Sequence, residues 1–206
     1  MLILGLTGSI GMGKSTVSAR FAAQGLPVLD ADQEVHRLYA GEAAPLIEAA
    51  FPGTVEDGVV VRAKLAAALG GDSAAFKRLE AIVHPLVFEA ERTFLRAQAE
   101  AGAFAAVLEI PLLFETGGDA RVDVRVVVSA SPDQQRARVL ARDGMSEAKF
   151  AAILAQQMSD EDKRARADIV VDTGVALAQT HQQIDDIVER LKADPPPARA
   201  YAKHWA

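Results

Sequence analysis

Unbroken apolar runs, not alternating ones, punctuate this chain. Leu2–Leu6, Pro27–Leu29, Phe104–Ile110, Val122–Val128 and Ile169–Val171 are five such runs. A strand buried on both faces has no solvent side to mark with polar residues, so these runs predict a parallel sheet covered on both faces. Stretches of helical periodicity lie between them, which predicts an α/β layer fold. The first helix is expected from Lys14 to Gln24, closing at Gly25, with Val17, Phe21 and Ala22 toward the sheet. Between Leu29 and Phe104 the chain is too long for one simple crossover. Val59–Val61 follows a turn-like Glu56-Asp57-Gly58, and Gly70-Gly71-Asp72-Ser73 marks a further break. From Phe76, apolar positions such as Leu79, Val83, Leu86 and Phe94 recur at helical spacing, with Pro85 expected to end or kink that helix around His84.

The second half has sharper boundaries. Ser131-Pro132-Asp133-Gln134 supplies an N-cap, a proline at the first helical position and a glutamine at the third, predicting a helix to Arg142 that stops near Gly144. A second short helix can start at Ser146, and a third follows the acidic start Ser159-Asp160-Glu161-Asp162. These small units, residues 131–166, read as a lid and not as an extension of the sheet. A last helix over Val175–Leu191 carries Leu177, Ile184, Ile187, Val188 and Leu191 as a packing stripe and ends before Pro195-Pro196-Pro197. In the tail beyond, Trp205 is the one reason to expect packing.

Composition narrows the classes. With 206 residues, half of them hydrophobic but only 5% aromatic, the chain reads as one globular domain, 1–206, whose core is built from Leu, Val, Ile and Ala. A net charge of -6 and the absence of a basic block argue against a nucleic-acid partner. Cysteine is absent, which excludes disulfides and thiolate metal sites and agrees with a reducing cytoplasm. The apolar start lacks a positive leader and no run reaches the length of a membrane span. The expectation is a cytoplasmic protein without a membrane association or an obligate protein partner.

The chemistry begins at Gly8-Ser9-Ile10-Gly11-Met12-Gly13-Lys14-Ser15, a G-x-x-x-x-G-K-[ST] loop between the first strand and the first helix. Glycines let successive N–H groups turn inward, Lys14 can reach β- and γ-phosphates, and the Ser15 hydroxyl can ligate Mg2+. Thr16 either helps to bind phosphate or is a first-turn helix residue. The site is thus expected to take ATP and Mg2+. Asp30 and Asp32 follow the second strand, expected beside the first, where an open α/β sheet binds its ligand. There Asp32 can orient or deprotonate an acceptor hydroxyl and help to hold Mg2+, while Asp30 can do the same or cap a helix. Arg138 and Arg142, four apart on the capped helix, can project from one face toward polyphosphate. The four histidines form no metal-binding group, and His84 stands out only for its neighbour Pro85. The chain has no asparagine and so no Asn-Lys-x-Asp guanine-reading segment, nor a second glycine-rich signature. A small-metabolite kinase fits best, with residues 31–102 as a helical acceptor-binding region; an ATP-gated binding module is the nonenzymatic alternative.

Beyond the loop, Asp30-Ala31-Asp32, His84-Pro85, Ile110-Pro111-Leu112-Leu113-Phe114-Glu115 and Gln157-Met158-Ser159 through Ala165-Arg166-Ala167-Asp168 appear in one chain. In this combination it resembles the dephospho-coenzyme A kinase family, from Leu2 to about Leu191. The resemblance implies a P-loop NTPase fold with a five-stranded parallel core sheet flanked by helices, an acceptor-binding helical insertion and a lid. It implies transfer of the ATP γ-phosphate to the ribose 3′-hydroxyl of dephospho-coenzyme A. It further implies that Asp32 is the acceptor-orienting base, that Lys14 and Ser15 serve ATP and Mg2+, and that Arg142 is the lid arginine. His84, Leu113, Phe114 and Glu115 would hold the acceptor. Two positions depart from the family's pattern: Thr173 stands where an asparagine is common, leaving adenine to a hydroxyl or to the main chain of Thr173-Gly174, and Glu109 precedes Ile110-Pro111.

Overall fold

Strands form where the unbroken apolar runs predict them. In the computed structural model, which describes residues 1–206, the chain opens with β1 (Leu2–Thr7), α1 (Lys14–Ala23) and β2 (Val28–Asp30). It continues through α2 (Ala31–Tyr39), α3 (Ala43–Ala50), β3 (Val55–Glu56), β4 (Val59–Val60), α4 (Arg62–Leu69) and α5 (Ser73–Glu100). Next come β5 (Ala105–Glu109), β6 (Val124–Ser129), α6 (Pro132–Leu140), α7 (Glu147–Leu154), α8 (Asp160–Arg166), β7 (Ile169–Asp172) and α9 (Leu177–Ala193). Residues 1–29 and 95–206 form one compact unit and Asp30–Phe94 a second.

The first unit is organised by a five-stranded sheet in the order β2-β5-β1-β6-β7. β1 pairs in parallel with β5 and β6, Leu4 lying opposite Val107 and Val124, and β6 pairs in parallel with β7. Every residue of β1 and β5 is buried, as an apolar run without polar alternation requires. Val17 and Phe21 of α1 and Ile184 and Val188 of α9 join Leu4, Leu6, Val107 and Val126 in one core, while Ala22, expected to face the sheet, is exposed because the packed face of α1 runs through Val17 and Phe21, one turn apart. β2 is not beside β1, as the sequence had suggested. The β1–α1–β2 crossover skips one strand position, and β5, which arrives only after the second unit, fills it.

Three other differences have local causes. Leu177 is 59% exposed and outside the stripe, because the first turn of α9 meets the polar carboxyl end of β7, where the Thr180 hydroxyl reaches the Asp172 carbonyl at 3.2 Å. α6 ends at Leu140, so Arg142 falls in the following turn. Pro85 does not end α5, which runs 28 residues through it. The N–H missing at Pro85 is offset by burial on either side, with Val83, Leu86 and Val87 all in the second unit's core.

That second unit packs Leu38, Ile47, Phe51, Leu65 and Leu69 together. It also contains a two-stranded hairpin in a region read from sequence as helical. Asp57 and Gly58, with φ of 50° and 79°, adopt the positive dihedrals that two-residue hairpins require. Glu48 ties the hairpin to α3 by accepting the N–H groups of Gly53, Thr54 and Val55 at 2.7, 3.1 and 2.9 Å, which hold its carboxyl below the usual range.

The tail packs on the first unit. Asp123 accepts N–H groups from Ile3 (2.9 Å), Arg199 (2.7 Å) and Ala200 (2.8 Å). Trp205 is 1% exposed, donates its indole N–H to the Arg121 carbonyl at 2.8 Å and lies under the Arg121 guanidinium. No helix is long and apolar enough to cross a membrane. Trp205→Ala is therefore expected to cost about 3 kcal/mol in urea unfolding, whereas Leu177→Ala should stay within about 0.5 kcal/mol.

Candidate active site

β1 ends at Thr7 and α1 starts at Lys14, leaving the six residues between to turn the chain over the carboxyl end of the sheet. Gly11 is hemmed in: its φ is 79°, and a Cβ there would lie 2.5 Å from Val139 Cγ2 and 2.9 Å from the Gln135 carbonyl oxygen. Only glycine fits. Ser9 and Met12 are buried, and the Met12 N–H closes a turn onto the Ser9 carbonyl at 3.2 Å. Lys14 folds back so that its ammonium donates to the Gly8 carbonyl at 2.8 Å. Ser15 is exposed and Thr16 half-buried at the start of α1, whose first turn has no acidic residue to oppose an anion at its N-terminus.

The loop is braced by side chains from three other elements. Gln135 of α6 donates to the Ile10 carbonyl (2.8 Å), and the Ile10 N–H donates to Gln157 Oε1 (3.0 Å). Arg138 donates to the Thr173 carbonyl (2.7 Å) and hydroxyl (3.2 Å), with the Gly11 carbonyl at 3.5 Å. The Thr173 hydroxyl in turn lies 2.7 Å from the Met12 carbonyl as its donor. Arg138 and Arg142 thus do not share a face. Arg138 is a half-buried strut, and Arg142 stands exposed in the turn after α6.

Thr173 is a strut as well. It is 6% exposed, and the N–H groups of Thr173 and Gly174 already donate to the Ser129 carbonyl (2.8 Å) and Asp172 Oδ1 (2.7 Å). Gln134 occupies the Gly174 carbonyl at 2.7 Å. Neither the hydroxyl nor those N–H groups face an open site, so the departure from asparagine serves the loop's support.

Pro111–Glu115 follows β5 on the same side of the sheet. Its first carbonyl, on Pro111, accepts from the Thr7 hydroxyl (3.0 Å) and the Lys163 ammonium (3.1 Å). Lys163 has no exposed side-chain surface and pairs with Glu115 at 2.9 Å. Glu115 also accepts the Met158 N–H at 2.8 Å. Burial pushes the Glu115 carboxyl up, but the Lys163 hydrogen bond and the Met158 N–H outweigh it and hold the carboxyl below its ordinary value. Leu113 is fully buried against Gly5, and Phe114 lies under the Arg166 guanidinium, 4.6 Å from the ring centre. Glu109 is buried and accepts from the Ser18 hydroxyl of α1, which gives it a place in the α1–β5 packing.

The structure therefore gathers the loop, Thr173, Pro111–Glu115 and Gln157–Lys163 in the first unit. Asp32 and His84 belong to the second. Asp30 is the N-cap of α2, accepting from the N–H groups of Asp32 (2.9 Å) and Gln33 (3.1 Å). Capping places Asp32 in the first turn of α2, exposed, and His84 is exposed on α5. No three His, Asp or Glu side chains converge to hold a metal ion. A divalent ion at Ser15 would need phosphate oxygens among its ligands, which is how Mg2+ is bound beside nucleotides. Sequence reasoning missed Gln135, Gln157 and Lys163, although Gln157 and Lys163 lie in the segment that carried the family resemblance.

The family model for dephospho-CoA kinase (CoaE) matches residues 2–179. The dephospho-CoA kinase of Mesorhizobium japonicum is 59% identical over 192 residues, covering 93% of this chain and 98% of that protein. That of Brucella melitensis biotype 1 is 55% identical over 195 residues, covering 95% and 98%. Among solved structures, TT1252 from Thermus thermophilus matches with a TM-score of 0.80 at 35% identity, over 92% of this chain and 97% of its own. The dephospho-CoA kinase from Campylobacter jejuni shares the fold, with a TM-score of 0.64 at 22% identity over 92% and 96%.

The buried pair makes a sign-specific prediction. Because the Glu115 carboxyl is held below its ordinary value in the folded protein, its contribution is present at neutral pH and lost as pH falls through the depressed folded value. Glu115→Gln, which leaves the Lys163 charge buried without its partner, should cost about 3 kcal/mol at pH 7. Denaturant titrations from neutral pH into the acid range should show a shallower loss of stability for the variant than for the wild type.

Proposed function

Because the chain belongs to the dephospho-CoA kinase family, whose members phosphorylate dephospho-CoA with ATP in the final step of coenzyme A biosynthesis, we propose that this protein transfers the γ-phosphoryl group of ATP to the ribose 3′-hydroxyl of dephospho-CoA in the cytoplasm. The observation that carries the donor half is the loop itself, with Lys14 lying on the Gly8 carbonyl at 2.8 Å and Ser15 exposed at a helix N-terminus. Main-chain N–H groups between Gly8 and Thr16, apart from those of Ile10 and Met12 that Gln157 and the Ser9 carbonyl hold, cradle the triphosphate. The Lys14 ammonium exchanges its contact with Gly8 for the β- and γ-oxygens, where charge grows as the phosphoryl group moves. The Ser15 hydroxyl and the Asp32 carboxylate are the groups that would hold Mg2+, which would supply positive charge to offset that of the phosphate oxygens.

On the acceptor side, Asp32 orients the 3′-hydroxyl. As the new O–P bond forms and the bond to the β–γ bridging oxygen breaks, the hydroxyl proton passes to Asp32 and ADP leaves. His84 and residues 31–102 bind the acceptor. Phe114 and Glu115 border it, and Leu113, packed inside, sets the shape of that segment. Arg142 reaches the polyphosphate from the lid, residues 131–166. The moving part of that lid lies between its anchors, Gln135 and Arg138 on one side and Gln157 and Lys163 on the other.

One assay tests this reading: Mg-ATP offered with dephospho-CoA, AMP, CMP or pantothenate, with products detected by mass. Dephospho-CoA should be the acceptor, and robust phosphorylation of another compound in its place would overturn the assignment. Asp32→Asn should fold, keep much of its ATP binding and lose about a thousandfold in kcat. Lys14→Ala should lose about a hundredfold or more at saturating ATP.

A further inference from the structure

The crown of the phosphate loop is gripped at one peptide residue from two sides. Gln135 Nε2 donates to the Ile10 carbonyl, and the Ile10 N–H donates to Gln157 Oε1. The two glutamines differ in what stands behind them. Gln135 is buried within α6, whose side chains bond to the loop, to Thr173-Gly174 and, through Arg136, to Glu147 of α7, but not to Pro111–Glu115. Gln157 lies on no helix. It follows the turns that close α7, and the next residue, Met158, donates its N–H to Glu115 Oε1 at 2.8 Å. Glu115 is held in place by the fully buried Lys163, which also grips the Pro111 carbonyl. Two consecutive residues, Gln157 and Met158, therefore carry one hydrogen bond to the ATP loop and one to the segment Pro111–Glu115.

We propose that Gln157 is a positioning residue that couples the two substrate sites, transmitting a shift of Pro111–Glu115 on acceptor binding to the Ile10 peptide, and so to the main-chain N–H groups that receive the triphosphate. The linkage is short and polar. A displacement of Glu115 acts on the Met158 N–H, and the adjoining Gln157 amide can follow only by moving, or releasing, the Ile10 N–H. Coupling between sites is reciprocal: if acceptor binding changes ATP affinity by some factor, ATP changes acceptor affinity by the same factor. The proposal rests on the readings of Gly8–Ser15 as the ATP loop and of Pro111–Glu115 as part of the acceptor site.

The test is a thermodynamic cycle by calorimetry. The Kd of a nonhydrolysable Mg-ATP analogue is measured with and without saturating dephospho-CoA, in the wild type, Gln157→Met, Gln157→Glu and Gln135→Met. The wild type should show a ratio of about fivefold or more. Gln157→Met, which keeps length but removes the acceptor oxygen, should bring the ratio close to one while each ligand alone still binds. Gln157→Glu keeps an acceptor for the Ile10 N–H and should retain the ratio even though its charge weakens the analogue. Gln135→Met should weaken the analogue but keep the ratio, since it loosens the loop without cutting the link to Glu115. A wild-type ratio of one, or an unchanged ratio in Gln157→Met, would overturn the coupling. Should Gln157→Met not fold, hydrogen exchange at the wild-type Ile10 amide decides: dephospho-CoA alone should change its protection, and no change would refute the proposal. Failure of the loop reading is distinct, because then the analogue would bind with the same Kd to wild type and Lys14→Ala.

Discussion

A loop that binds phosphate through main-chain N–H groups has to hold those groups outward in a conformation with few hydrogen bonds of its own. That constraint organises the first unit of this protein. The loop's internal turn, from Met12 to Ser9, leaves the polar groups of Ile10, Gly11 and Met12 to be met from elsewhere. Gln135, Arg138, Gln157 and Thr173 meet them, from α6, from the segment before α8 and from the residue after β7. Each brace is modest singly, about 1 kcal/mol, but together they leave the loop one shape.

The same economy of placement explains the buried lysine. An ammonium with no exposed surface is costly unless it is paired and fully hydrogen-bonded. Lys163 meets both conditions with Glu115 and the Pro111 carbonyl. What this gains is position. The segment after β5 and the segment before α8 are far apart in sequence, and the ion pair fixes one against the other with Met158 between them. In this protein the braces of the glycine-rich loop and the anchors of Pro111–Glu115 are continuous, which is why residues 157–163 contribute to both.

The second unit has a different logic. It holds its own apolar core, uses Glu48 to fasten a hairpin to a helix, and begins with Asp30 as a helix cap. An aspartate that caps α2 leaves the next aspartate, Asp32, in the first helical turn, where the main-chain dihedrals are set and the carboxylate stays exposed.

The apolar runs specified the strands to within two residues: β1 and β5, buried along their whole length, leave no alternative pattern, and the less buried edge strands β2 and β7 are shorter runs of the same kind. The phosphate loop was equally legible, since its glycines, lysine and serine are local requirements of one backbone conformation. Local signals also set three helix starts in the second half: Ser131, Ser146 and Ser159 each cap the helix that follows. The sequence by itself thus determined the strands, the loop and the caps. Only the tertiary structure decided that β5 separates β2 from β1, that α5 continues through Pro85, and that Leu177 lies outside the stripe while Trp205 lies inside. Only there did Thr173, Arg138 and Gln157 become supports of the loop. Each of those outcomes depends on residues more than thirty positions away, or on packing that offsets a local cost, and no local pattern in the chain encodes which distant partner will be met.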